Sequence, residues 1–444
     1  MLKIFLPPRY AVILLSVMQV CMPVHAQQSS RDAQWTLASS LKRAMQTAPE
    51  LKQSLAKISA RSAEIELSDM WPDPSIELRV DNKLGKDDAS GGYDLTDVVI
   101  SQPIPLSRLK YQRSVAEAQL MATEYSRQYL AMQLQNRVAK VFHQLQLTSA
   151  ELSVAKKRHQ LADELERQSG KNADGVVVRY LTPLEKTRLK IIREEARQAA
   201  ASAEGEYSES LSEFRRLLGI DTDSAGSSAS ASVSVSELEP VRDIPSIDRL
   251  RAQLDAHAQL AGQQQQVIAA RHQVDVERSS QMVDPTVSLI RTRDTFDYGR
   301  DDVYGIMFNL QIPISDRTSK AASKANHLAT EQRIELDRMQ RDLHINLKQS
   351  HTHLHHLVEQ AEDYRSKVLT PAREMLALTR SGFTSGELNM LNLVDANNTY
   401  FESRLKYLDL LYQAHVELAD LRFYAGQMLV DTDPDDIKAD EGGY

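Results

Sequence analysis

Asp73-Pro74-Ser75-Ile76-Glu77-Leu78 returns later in the chain as Asp284-Pro285-Thr286-Val287-Ser288-Leu289. Upstream, Ala48-Pro49-Glu50-Leu51 is matched by His257-Ala258-Gln259-Leu260. Downstream, Ile104-Pro105-Leu106-Ser107 is matched by Ile312-Pro313-Ile314-Ser315. A late glycine turn follows in each series, at Gly175 and Gly386. The offset stays near ~210 residues at all four landmarks, which marks an internal duplication. The chain therefore reads as two similar halves, residues 27–223 and 246–430. A Ser/Ala-rich linker over 224–245 joins them, and an acidic tail, 431–444, follows.

Each half has one internal order. A helical stretch comes first, Leu37 to Met70 and again Ile247 to Met282, and Pro-containing punctuation ends it because proline stops a helix. Two strand-like segments come next. Ile76, Leu78 and Val80 alternate with Ser75, Glu77 and Arg79; Tyr304, Ile306, Phe308 and Leu310 alternate with Gly305, Met307 and Asn309. Period-two alternation matches a transmembrane β-strand as well as a half-buried soluble one, and on pattern alone the weak signal per strand favours the soluble reading. Trp71, Tyr93, Phe296, Tyr298 and Tyr304 flank these strands as an aromatic girdle would.

The long helices narrow the choice. Leu106 to Gln168 contains no Gly or Pro, enough for a rod of roughly 90 Å. Leu134, Val138, Val141, Leu145, Leu152 and Ala155 mark a heptad seam, with a gap at Thr148. The stretch from Arg317 to Arg380, broken only by Pro371, carries Leu347, Leu354, Leu357, Ala361, Tyr364 and Val368 in the same rhythm. Each rod turns near Gly175 or Gly386 and returns through another helix that ends near Gly219 or Gly426. Four strands cannot close a barrel, and open sheet edges cannot face lipid. Three copies would supply twelve strands, above the minimum of about eight for bacterial barrels.

Length, charge and termini fit this plan. The chain has 444 residues, 42% of them hydrophobic, a formal net charge of −8 and one cysteine, Cys21. The acidic balance offers no broad basic surface for nucleic acid. Residues 1–26 read as a secretory signal peptide: Lys3 and Arg9, an apolar run, then a Val24-His25-Ala26 cleavage site. The apolar run is too short for a membrane anchor, and Met18-Gln19-Val20 before Cys21 is a poor lipidation signal. Removal of this segment takes Cys21 with it and leaves no thiol chemistry. No later stretch is long enough for a transmembrane helix.

These residues resemble the TolC-like outer-membrane efflux channels. The signal peptide, the duplicated helix–strand–strand–rod plan, the Ile-Pro-Leu/Ile-Ser corners and the Leu393-Val394-Asp395-Ala396-Asn397 turn carry the resemblance from about Trp35 to Gly426. It implies an α+β membrane protein with four β-strands per chain, a twelve-stranded barrel as a homotrimer in outer-membrane lipid. Long antiparallel helical hairpins would form an α-barrel through the periplasm. It further implies a periplasmic adaptor, an inner-membrane RND pump, no cofactor, no catalysis and no nucleic acid. Thr182-Pro183-Leu184-Glu185, with Thr187-Arg188 after it, resembles the heavy-metal (CzcC- and CusC-like) branch.

In such channels rings of acidic side chains narrow the periplasmic mouth, within a pattern like Asp-Val-Leu-Asp-Ala. Here Asn392-Leu393-Val394-Asp395-Ala396 carries over Asp395 and places Asn392 at the other position. Three Asp395 carboxylates around a threefold axis would attract cations. Otherwise Asp395 is a solvent-facing residue near a helix N-terminus. Phe383 stands for the family's tyrosine beside the tip glycine and Leu388 for its arginine, so a tyrosine–arginine clasp is absent.

His351-Thr352-His353-Leu354-His355-His356 puts two histidines at i, i+4, a spacing that binds Zn²⁺ or Cu²⁺. A polar outer face over a Leu354/Leu357 seam accounts for it better, since a third ligand is missing. The expectation is an outer-membrane exit duct of a tripartite system, with heavy-metal cations as cargo. A periplasmic coiled-coil adaptor and a channel for organic compounds are the alternatives.

Overall fold

The computed structural model describes residues 35–80, 96–106, 108–169, 182–220, 235–280, 284–296, 299–312 and 314–430. The signal segment, Gly175, Tyr93, Tyr298, most of the linker and the acidic tail lie outside them.

The expected elements are present, with two differences in the helices. The first helical stretch is two helices, α1 (Leu37–Thr47) and α2 (Pro49–Asp69), broken at Ala48. Its counterpart is α5 (Ile247–Gln253), a single 3₁₀ turn, and α6 (Ala258–Ser279), broken at His257. Ala48 and His257 share one extended conformation, φ −59°, ψ 118° and φ −64°, ψ 125°. At Ala48 the cause is the following proline, which disfavours helical backbone in the residue before it. At His257 the ring does the same work: Nδ1 accepts from the Gln259 N–H at 3.2 Å, and Nε2–H donates to the Phe423 carbonyl at 3.2 Å.

The strands are β1 (Ser75–Val80), β2 (Thr96–Pro103), β3 (Thr286–Phe296) and β4 (Gly299–Asn309). They form one antiparallel sheet in the order β1-β2-β3-β4, so the two halves join at β2–β3 and the sheet keeps two unpaired edges. The repeated landmarks touch there. The Asp284 carboxylate accepts from the Leu106 N–H at 3.1 Å, and the Ile104 N–H donates to Pro285 O at 2.8 Å. Register aligns Ile76, Ile100, Leu289 and Ile306 in one row across all four strands, and all four are exposed. Leu78, Tyr304 and Phe308 extend this bare apolar face, with Tyr304 and Phe308 each 73% exposed. The opposite face carries Ser75, Glu77, Arg79, Asp97, Ser101, Ser288 and Thr292 beside a few apolar residues. Ser101 and Ser288 hydrogen-bond across the joint at 2.7 Å.

The rods are α3 (Arg108–Ser169) and α4 (Pro183–Leu217) in the first half. In the second they are α7 (Arg317–Tyr364), α8 (Thr370–Thr384) and α9 (Met390–Tyr424). At 1.5 Å per residue α3 is roughly 93 Å long. No helix among the described residues is long and apolar enough to cross a membrane.

Most of the predicted seam is buried, Val141, Leu152, Ala155 and Tyr364 are half-buried, and one position is exposed. Leu134, Val138, Leu145, Leu347, Leu354, Leu357 and Ala361 are in the core, whereas Val368 is exposed. Residues Arg365–Leu369 form a π-helical turn, with the Thr370 hydroxyl donating to Arg365 O. Pro371 lacks an N–H, so the α-ladder cannot run straight through it. The extra residue moves the seam from Val368 to Leu369, and from there to Ala372 and Thr379.

Two equivalent cores fill the middle of the rods. Leu41, Leu51, Leu134, Val138, Leu145, Phe214 and Leu218 form one; Leu250, Leu260, Leu343, Leu347, Leu354, Leu421 and Ala425 form the other. Gly219 (φ 61°) and Gly426 (φ 75°) end α4 and α9 in the left-handed region, where a Cβ is disfavoured. Gly219 rests on Thr47 and Gly426 on His257, the same joint in both halves.

Candidate aperture at the helical tip

The second hairpin turns at Ser385–Asn389. Gly386 has φ 82°, and the Glu387 and Leu388 N–H groups both donate to Gly382 O, at 2.9 and 3.0 Å. Gly382 is fixed by its neighbour: a Cβ there would lie 2.9 Å from Leu388 Cγ. Asn389 then caps α9, its Oδ1 accepting from the Asn392 N–H at 3.0 Å.

Asn392 and Asp395 follow at i, i+3 on one face, and both are exposed. The opposite face holds the helix down. Met390 and Leu393 are buried with Leu189 of α4, and Leu165, Leu376, Phe383 and Val394 pack around them. Phe383 thus packs in the tip cluster, and Leu388 lies against Gly382, at the two positions where the sequence lacks a tyrosine–arginine pair. Asn397 turns inward, Nδ2–H donating to Leu393 O at 2.8 Å, while its buried Oδ1 has no partner among the described residues. Higher up, Arg158 Nη2 donates to Asn398 Oδ1 at 2.9 Å, and Lys140 pairs with Asp420 at 2.6 Å, tying α9 to α3.

The Thr-Pro-Leu-Glu run at the first hairpin is a capping box. Thr182 Oγ1 accepts from the Glu185 N–H at 3.3 Å and Glu185 Oε2 accepts from the Thr182 N–H at 2.8 Å, with Pro183 in the first turn.

The histidine run does not gather ligands. His351 Nε2–H donates to Pro245 O at 3.2 Å, His353 faces Glu417 at 2.9 Å, and His355 and His356 point outward over the buried Leu354 and Leu357. Among the described residues no group of three or more His, Cys, Asp or Glu is placed to hold a metal ion.

One arrangement had no trace in the sequence. His143 on α3 and His415 on α9 meet, although far apart in the chain. Together with Gln146 they fasten the strap that leads into the second half. Gln146 Nε2 donates to Ser236 O at 2.8 Å and His415 Nε2–H to Glu239 O at 2.7 Å. Trp35 and Val235 form a parallel bridge at the strap's start. Only the tertiary fold brings these groups together.

Residues 250–427 match the family described as Outer membrane efflux protein. The chain is 25% identical over 242 residues to the cobalt-zinc-cadmium resistance protein CzcC of Cupriavidus metallidurans, a match covering 53% of this chain and 54% of that one. The chain thus spans about half the length of the curated relative it matches. Among solved structures, CusC superposes with TM-score 0.70 at 15% identity, covering 89% of this chain and 93% of CusC. The outer membrane protein VceC of Vibrio cholerae gives 0.69 at 13% identity, covering 88% and 96%. The open MtrE channel of Neisseria gonorrhoeae gives 0.68 at 14%, covering 88% and 89%. At these identities the likeness is one of fold. The resemblance to TolC-like efflux channels read from the sequence is borne out, and the CzcC match bears out its heavy-metal branch.

Proposed function

We propose that this chain is the outer-membrane duct of a tripartite efflux system, with heavy-metal cations as cargo. The observation that carries the reading is the sheet: four strands with two open edges among the described residues and an exposed apolar row, Ile76–Ile100–Leu289–Ile306. Such a surface is unstable in water and suited to lipid once three copies pair edge to edge. Exposed Trp71 and Tyr304 fit the interfacial aromatic girdle. The paired rods then continue the barrel as a tunnel, and an adaptor and an inner-membrane pump load it. A duplicated strand pair and hairpin argue against a periplasmic adaptor as the function.

At the tip, Asp395 narrows the mouth and favours cations, with Asn392 beside it contributing no charge. Exposure of both on one face of α9 supports this. The purified protein should run as a trimer in detergent and conduct in a planar bilayer. Asp395→Ala should raise conductance or weaken block by multivalent cations; unchanged values in both would remove Asp395 from the aperture. In cells, loss of the gene should lower tolerance to cobalt, zinc or cadmium; unchanged tolerance with lowered resistance to organic compounds would redirect the cargo assignment.

A further inference from the structure

The duplication places the parts of one closed joint a second time, at the two open edges of the sheet. In the closed joint, β2 against β3, the Ile104 N–H donates to Pro285 O and the Leu106 N–H to the Asp284 carboxylate. Arg108, the first residue of α3, pairs with Asp284 at 3.7 Å, and Ser101 and Ser288 hydrogen-bond at 2.7 Å. The repeated landmarks set Ile312 against Ile104 and Asp73 against Asp284. By the same offsets Asn309 corresponds to Ser101 and Glu77 to Ser288. Arg317, the first residue of α7, takes the place of Arg108 with Asp316 inserted before it. In the closed joint these residues are buried or half-buried; Asp73, Glu77, Asn309, Ile312 and Arg317 are all exposed. Among the described residues the side chains of Asp73, Glu77, Asn309 and Arg317 have no hydrogen-bond or ion-pair partner. Arg317 borders the same recess as Asp284, but Arg108 already holds that carboxylate. Asp73 and Glu77 belong to the β1 edge, Asn309 and Arg317 to the β4 edge, so one copy cannot bring them together.

We infer that the β4 edge of one copy receives the β1 edge of the next in the register of β2–β3, closed by two polar pairs: Arg317 with the partner's Asp73, and Asn309 with the partner's Glu77. The inference rests on the trimeric reading above and adds to it the register and the contacts. Transferred residue by residue, the β2–β3 register sets Phe308 opposite the partner's Leu78, Leu310 opposite the partner's Ile76 and Ile306 opposite the partner's Val80. All six lie on the bare apolar face, so that face crosses the boundary unbroken. A slip of one residue would turn it to the other side of the sheet. A slip of two would keep the face but separate both polar pairs. Ile104 and Pro285 exchange a backbone bond, so Ser101 and Ser288 form a non-hydrogen-bonded pair, with Cα atoms about 4.5 Å apart. The same spacing lets the Asn309 amide donate to the Glu77 carboxylate, where the closed joint uses two hydroxyls.

No cysteine follows Cys21, so introduced pairs report the register directly. In the full chain extracted from membranes, Asn309→Cys/Glu77→Cys should oxidise to covalent dimers and trimers that survive denaturing electrophoresis and revert on reduction. A disulfide needs Cβ atoms about 3.5–4.5 Å apart. Pairs two residues off, Asn309→Cys/Ser75→Cys and Asn309→Cys/Arg79→Cys, should therefore give no more product than the single-cysteine variants. The ion pair is tested without cysteines: Asp73→Arg should lower the temperature at which the trimer dissociates in detergent, and adding Arg317→Asp should restore it. A trimer that cross-links through Ser75→Cys or Arg79→Cys instead would overturn the joint and leave the trimer standing. So would a trimer that neither cross-links through Glu77→Cys nor recovers with the exchanged charges. A wild-type chain that is monomeric in the extract would overturn the trimeric reading itself, and the joint with it.

Discussion

The imidazoles of His143 and His415 stack with centroids 4.3 Å apart and planes 23° from parallel, joining α3 to α9. Nδ1–H of His143 donates to Gln146 Oε1 at 2.8 Å, which leaves Gln146 Nε2 to hold the strap. Burial pushes the His143 imidazole down to about 3, with His415 and Arg422 adding repulsion, and burial also lowers His415. The folded chain refuses a proton that the unfolded chain accepts, so this contribution is intact above pH 6.5 and is lost as pH falls toward 3. Stability should decline by up to about 1.4 kcal/mol per pH unit across that window through His143. His143→Asn should flatten the urea midpoint between pH 7 and pH 4; an unchanged slope would show that His143 is not the group responsible.

Glu151 behaves in the opposite sense. Burial, then Glu206 and Asp409, raise its carboxyl to about 6. A raised carboxyl favours folding at low pH and opposes it as pH rises through 6. Glu151 is only about half buried, so solvent screening limits the effect to about 1 kcal/mol or less. Glu151→Gln should raise the melting temperature at pH 8 and leave it unchanged at pH 4.

The π-turn assigns unlike costs to two residues that share one predicted seam. Leu354 is fully buried, so Leu354→Ala should cost about 2–5 kcal/mol. Val368→Ala should stay within about 0.5 kcal/mol. Equal losses in chemical denaturation would mean that the seam runs through Val368 after all.

Thr182→Ala removes the hydroxyl arm of the capping box at the start of α4 and keeps the backbone N–H that donates to Glu185. The expected loss is about 1 kcal/mol, confined to that end. Hydrogen exchange should quicken in the first turn of α4 while the amides around Phe214 keep their protection.

Ile306→Lys tests which solvent the sheet faces. Ile306 is exposed in the isolated chain, so a sheet in water would accept lysine readily. Against lipid the same change costs about 2–4 kcal/mol near the midplane. The membrane-extracted trimer should fall sharply, whereas Asp301→Lys, near the β3–β4 turn, should assemble normally.

Elements with a strong local pattern were legible in the sequence: the strands from alternation, the rods from heptads, the corners from proline, and the duplication from its landmarks. Leu354 and Leu347 were found as seam residues because heptad spacing is a property of one helix. What was missed depends on more than one segment, or on backbone detail. The break at His257 has no proline to announce it and relies on a side chain bonding in two directions. The π-turn depends on Pro371 together with Thr370. The histidine stack and strap contacts join residues 90 or more positions apart, and no local pattern encodes them. At the tip, the Asp395 and Asn392 positions came from the resemblance, while the packing of Phe383 against Leu189 and Met390 came only from the fold.

The π-turn at Arg365–Leu369 works as a phase shifter. One extra residue in a helix of 3.6 per turn rotates everything beyond it by about 100°. Every side chain from Thr370 to the Gly386 turn therefore faces a direction that a straight continuation of α7 would have given to its neighbour. Substitutions beyond Pro371 can alter packing but cannot reset the angle. A single-residue deletion within 365–369 is the change that would swing the whole tip.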